Sequence, residues 1–86
     1  MSSRVVLYGR PGCHLCDDAL AVVERVLTRV PFALEQVNIE SDDALMMRYL
    51  ERIPVVMIDD ELHERVDIPK ARALSEKIKA EPAASP

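Results

Sequence analysis

The stretch Val5-Val6-Leu7-Tyr8-Gly9-Arg10-Pro11-Gly12-Cys13-His14-Leu15-Cys16 decides the reading of this chain. Four apolar residues ended by Gly9, Pro11 and Gly12 are the punctuation of a buried strand entering a tight loop. From His14 onward the apolar residues Leu15, Ala19, Val22, Val23, Val26 and Val30 recur at three- and four-residue steps, with Asp17, Asp18, Glu24 and Arg25 mostly on the other face. That period predicts an amphipathic helix stopped before Pro31. Cys13 and Cys16 thus fall where a strand hands over to a helix.

Working outward, residues 32–39 (Phe32 to Ile39) alternate in their first half and read as a second strand. Ser41 offers a helix N-cap, with Asp42 and Asp43 in the first turn where the helix dipole favours anions. Leu45, Met46, Tyr49, Leu50 and Ile53 form an apolar stripe, which predicts a short second helix ending before Pro54. Pro54-Val55-Val56-Met57-Ile58 is too short for a core helix and rich in β-branched residues, so it reads as a third strand. Asp59-Asp60 supplies a turn, and Glu61 to Val66 alternates weakly, as an edge strand does. Asp67 can cap a last helix with Pro69 in its first turn and Ile68, Ala71, Leu74 and Ile78 along one side. The order β-α-β-α-β-β-α predicts a four-stranded mixed α/β sheet with three helices, in which two helical crossovers make parallel pairs and the Asp59-Asp60 turn makes one antiparallel hairpin.

The chain has 86 residues, too few to subdivide a hydrophobic core, and is read as a single domain over residues 1–80. Residues 81–86, with two prolines and no large apolar side chain, are expected to be a disordered tail. The formal net charge is -4, from 15 acids against 11 bases, and argues against a nucleic-acid partner, which needs a concentrated basic surface. Tyr8, Phe32 and Tyr49 are the aromatic residues, too few for a base-stacking platform. No apolar run approaches the roughly 18 residues of a membrane span, and Met1-Ser2-Ser3-Arg4 does not read as a signal peptide. A cytoplasmic protein with no membrane partner is therefore expected. Two cysteines three positions apart cannot staple a secreted domain; in a reducing compartment they read as catalytic or metal-binding.

A sulfur at a helix N-terminus meets unpaired backbone N–H groups and the positive dipole end, which favour its anion. Cys13 is thereby the expected nucleophile, and Cys16, one turn later, the more buried resolving thiol. Arg10 would favour a Cys13 thiolate, while Asp17 and Asp18 oppose it unless they point into water. His14 could tune the pair when protonated or be a plain surface histidine. Structural zinc needs four ligands, and only His14 and His63 remain as soft candidates. No metal site is assigned and His63 is read as a surface residue. Met46, Met47, Met57 and Tyr49 read as packing.

Residues 7–17, from Leu7 through Cys13-His14-Leu15-Cys16 to Asp17, resemble the active-site segment of bacterial glutaredoxin-like proteins, and Ile53-Pro54-Val55 is similar to a second landmark of that family. The resemblance implies a thioredoxin-like fold and a small thiol-disulfide oxidoreductase with a redox-active CxxC disulfide and a role in electron transport. It implies that Pro54 is cis and faces the cysteines, and that backbone groups of Ile53 receive an extended substrate segment. With Arg10, Gly12 and His14 beside the cysteines, Ile53, Pro54 and Asp67 complete the expected substrate-binding set. No cofactor is expected beyond glutathione or another thiol as co-substrate. The partner would be a disulfide-containing protein or a low-molecular-weight thiol, acted on by a monomer. Glutathione-binding members carry a Gly-Gly turn and an Asp before the last helix. Here that stretch is Leu62-His63-Glu64-Arg65-Val66-Asp67, which keeps the acid and lacks the glycines. Two other readings stand beside the enzyme: a module holding a metal or iron-sulfur cluster on the same thiols, and a redox-inactive adaptor of the same fold.

Overall fold

Strand β1 (Arg4–Gly9) sorts Val5 and Leu7 to one face and Val6 and Tyr8 to the other. It is a central strand of the computed structural model, which describes residues 3–78. There follow α1 (His14–Leu27), β2 (Ala33–Asn38), a 3₁₀ turn (Ile39–Ser41), α2 (Asp43–Tyr49), β3 (Val55–Ile58), β4 (Glu61–His63) and α3 (Ile68–Ser75). The four strands form one mixed sheet in the order β2-β1-β3-β4. This is the expected element order and fold class. Residues 81–86, read above as a tail, lie outside the described residues.

Only the first crossover makes a parallel pair: β1 and β2 run together, whereas β3 lies beside β1 and antiparallel to it. The second crossover therefore corrects the expectation, and length explains why. A six-residue strand spans about 20 Å, while the seven residues of α2 rise only about 10 Å. The chain crosses the face of β1 and re-enters the sheet at the end where β2 left it. The Asp59-Asp60 turn makes the antiparallel hairpin between β3 and β4.

Element boundaries shift for local reasons. Ile39 leaves the sheet and is fully buried in the 3₁₀ turn, where Asn38 Oδ1 accepts the Glu40 N–H at 2.8 Å and Ser41 Oγ donates to the Asn38 carbonyl at 2.7 Å. Ser41 is thus occupied, and Asp42 caps α2 by accepting the Ala44 N–H at 2.8 Å. The helix closes at Tyr49, whose carbonyl takes the N–H groups of both Arg52 and Ile53. β4 stops at His63, short of Val66, because Arg65 adopts a left-handed φ of 50° and turns the chain.

Two cores form. Against α1 and α3, Val5, Leu7, Val56 and Ile58 of the sheet pack with Ala19, Val23, Val26, Ala71 and Leu74. On the opposite face Ile39, Tyr49 and Val55 pack with Tyr8, Leu45, Met46 and Ile53, the Tyr8 and Tyr49 rings lying 4.9 Å apart. Burial of each Val, Leu or Ile contributes about 1.5–3 kcal/mol. Two assignments change. Leu15, placed on the apolar stripe of α1, is 50% exposed. His63 is not a surface residue: only 16% of its side chain is exposed, and Nε2 lies 3.4 Å from the Glu61 carboxylate. Among the described residues no helix is long and apolar enough to cross a membrane.

Candidate active site

The end of β1 delivers the chain to the cysteines through two glycines with different duties. A Cβ at Gly9 would lie 3.1 Å from both Cβ and Sγ of Cys16, so the bare backbone is what lets strand and helix approach. Gly12 sits at φ +81° with open space around it, so its duty is conformational. Between them the Cys13 N–H donates to the Arg10 carbonyl at 3.3 Å and closes the turn.

Cys13 is the N-cap of α1, with extended backbone at φ -94° and ψ 107°. Its Sγ accepts the Cys16 N–H at 3.2 Å, the position an Asp or Ser oxygen takes at an ordinary cap. Charge on this sulfur would be met by a backbone donor and the positive helix end. Cys13 is half-buried, whereas Cys16 is 5% exposed. The two are joined as a disulfide with Cα atoms 5.2 Å apart. The sulfurs are thus within exchange distance, and the outer one is the more accessible.

The other sequence-derived residues fall in four places. Arg10 is held by Glu40 at 3.0 Å, so its charge is balanced by an acid from the 3₁₀ turn. His14 and Asp17 are exposed on the first turn of α1, with Asp18 half-buried beyond them. Ile53-Pro54 is a cis peptide, as the resemblance implied. The register pairs Tyr8 with Val55, so the next step brings Pro54 opposite Gly9, at the sheet end that carries the sulfurs. Asp67 caps α3 by accepting the Lys70 N–H at 3.0 Å. It follows directly on Val66, whose N–H donates to the Pro54 carbonyl at 3.0 Å.

The loop in place of the Gly-Gly turn is tied inward. Arg65 N–H donates to the Arg52 carbonyl at 2.8 Å, Arg52 pairs with Glu64 at 2.8 Å, and Lys70 Nζ donates to the Glu64 carbonyl at 2.7 Å. Sequence reasoning missed Glu40 because nothing local marks an acid thirty positions along as the partner of Arg10. It also missed Gly9, although the scarcity of glycine could have flagged it. A hollow of about 260 Å³ opens beside Cys16, between Leu20 and the β2 residues Gln36 and Asn38. Among the described residues no group of three or more His, Cys, Asp or Glu is placed to hold a metal ion.

A mixed sheet with helices on both faces, a Cys-x-x-Cys at the first helix start and a cis-proline at the same end define a thioredoxin-fold protein with a dithiol site. Residues 4–81 match the model of the glutaredoxin-like domain (DUF836), and the chain belongs to that family. Among solved structures it is similar to protein Ne2328 from Nitrosomonas europaea, at 34% identity and a TM-score of 0.60, covering 74% of this chain and 75% of that one. It is also similar to protein XcR50 from X. campestris, at 31% identity and a TM-score of 0.66, over 85% and 96% of the two chains. A mutant of the thioredoxin-like protein BC3987 follows at 26% identity and a TM-score of 0.55, over 83% and 97%. No curated protein matches the chain.

Proposed function

We propose that the chain is a thiol-disulfide oxidoreductase that reduces disulfides by dithiol exchange. The observation that carries this is the Cys13 sulfur at the N-cap of α1, accepting a backbone N–H while joined to a buried Cys16 one turn later. In the reduced protein the Cys13 thiolate attacks one sulfur of a substrate disulfide. A mixed disulfide forms and the other substrate sulfur leaves as a thiolate. Cys16, deprotonated, then attacks Cys13 Sγ; the Cys13–Cys16 bond forms and the second substrate thiol is released. The substrate gains two electrons and two protons, and an external thiol reductant must return them to the pair.

An extended substrate segment would lie beside Ile53-Pro54. The Ile53 amide already donates to Tyr49 at 3.0 Å, so its carbonyl is the group offered to the substrate. Arg10, Gly12 and His14 would border the attacked sulfur, and Asp67 would face a ligand amine. The amides of Arg65 and Val66 are spent on the carbonyls of Arg52 and Pro54. This favours a protein disulfide, or a thiol other than glutathione, over a ligand that needs a backbone cradle there. The protein acts as a cytoplasmic monomer without a cofactor in this reading.

Two measurements test it. Ultraviolet titration of the reduced protein should place the Cys13 thiol below the free-cysteine value of about 8.5, and a value at or above that refutes activation. A side-by-side assay with a protein disulfide and a glutathione mixed disulfide should favour the protein substrate. Cys13→Ser should abolish turnover, and Cys16→Ser should accumulate the mixed disulfide. No turnover by the wild type, with partner binding unchanged when both cysteines are replaced, would leave an adaptor.

A further inference from the structure

Away from the sulfurs, α1 and α3 leave a groove of about 760 Å³ between them. This lies within the roughly 300–1,000 Å³ range of small-ligand sites. Val22, Val26 and Ile68 give it an apolar floor, and Arg25 of α1, Arg29 of the turn after it and Arg72 of α3 line it. The lining runs along α1 from Asp18, roughly 14 Å of helical rise to its end at Leu27, and on to Arg29 in the turn that follows.

The arginines single this groove out. Elsewhere in the chain Arg4, Arg10 and Arg52 pair with Glu35, Glu40 and Glu64. Arg48 lies over the Tyr49 ring, and Arg65 Nε donates to the Glu51 carbonyl. The guanidinium groups of Arg25, Arg29 and Arg72 have no ion pair or hydrogen bond among the described residues. Asp18 and Glu76 also line the groove, but cations outnumber acids there in a chain whose net charge is -4. Free, fork-shaped donors beside an apolar floor complement a carboxylate attached to an apolar body.

We propose that this groove binds a small amphiphilic anion, an acyl or aryl carboxylate whose apolar part lies on Val22, Val26 and Ile68 and whose carboxylate is taken by Arg25, Arg29 and Arg72. The inference stands apart from the dithiol chemistry and survives its failure. Dodecanoate, kept below its micelle concentration, is titrated into the full-length isotope-labelled protein while backbone amide shifts are followed. Saturable shifts confined to residues 18–30 and 68–76 are expected, with the Cys13 amide unmoved. Combined Arg25→Gln, Arg29→Gln and Arg72→Gln should weaken binding about tenfold or more, and Arg4→Gln should leave it unchanged. If the triple variant does not fold, Arg25→Gln and Arg72→Gln are read singly, and each should weaken binding. Absence of saturation, unchanged affinity without the arginines, or equal binding of the nonionic dodecyl maltoside would overturn the proposal. So would an acidic amphipathic peptide that saturates these amides where dodecanoate does not, since the groove would then be a protein docking face.

Discussion

Gly9 and Gly12 demand different things of a substitution. At Gly9 a methyl group meets Cys16 at 3.1 Å, so Gly9→Ala should push strand and helix apart and destabilise the oxidised protein by about 1–3 kcal/mol in urea unfolding. At Gly12 the methyl meets nothing, and the penalty of Gly12→Ala is the left-handed backbone alone, about 1 kcal/mol, with Gly12→Asn milder. Glu61 gives a pH signature. Its carboxylate accepts from Lys77 Nζ at 3.0 Å, and this bond with the ammonium charge holds its pKa below the ordinary 4.5. Because the folded value is the lower one, the stabilisation is complete above 4.5 and fades as pH falls through the folded value. Lys77→Met should remove most of that slope from unfolding midpoints measured across the acid range, His63 supplying the rest. The carboxylate is exposed, so the effect is small.

At the scale of elements, α2 depends on very little. It is seven residues long, and its face of the sheet is closed by Ile39, Tyr49 and Val55 with a few half-buried neighbours. Ile39→Ala should cost about 2–5 kcal/mol and should raise amide hydrogen exchange in α2 more than in α1, which rests on the larger core. The elements themselves were legible in sequence wherever a period persisted: α1 from the spacing of Ala19, Val23 and Val26, α3 from its Asp67 cap and Pro69, β3 from its β-branched run. The place of Cys13 at a helix start was readable for the same reason, since Gly12 and Cys13 border that period. What escaped depended on distant partners. Ile39 continues the alternation of β2 yet turns into a second core; Ser41 looks like a cap but spends its hydroxyl on Asn38; Glu40 meets Arg10 only once the sheet is built. The direction of β3 escaped too, because strand pairing follows from how far a crossover reaches, not from the composition of either strand.

For the molecule as a whole, the disulfide closes a very short loop, with its cysteines three positions apart. Loop-closure arguments allow such a link only about 2 kcal/mol, so the reduced protein should keep its fold, with near-unchanged far-ultraviolet circular dichroism and a modestly lower unfolding midpoint. A domain that must cycle between oxidised and reduced forms would require that tolerance.

The bonds at the other end of the sheet carry a practical corollary. Arg4 exchanges hydrogen bonds with Asp59, and Lys77 reaches Glu61 just past the same turn, so the first and last described elements are gathered at the edge opposite Gly9 and the sulfurs. A reporter or tether attached at Arg4 or Lys77 would therefore hang from the back of the molecule and leave the two sulfurs facing away from it. Immobilised on a bead through such a handle, the protein would present Cys13 to the surrounding solution.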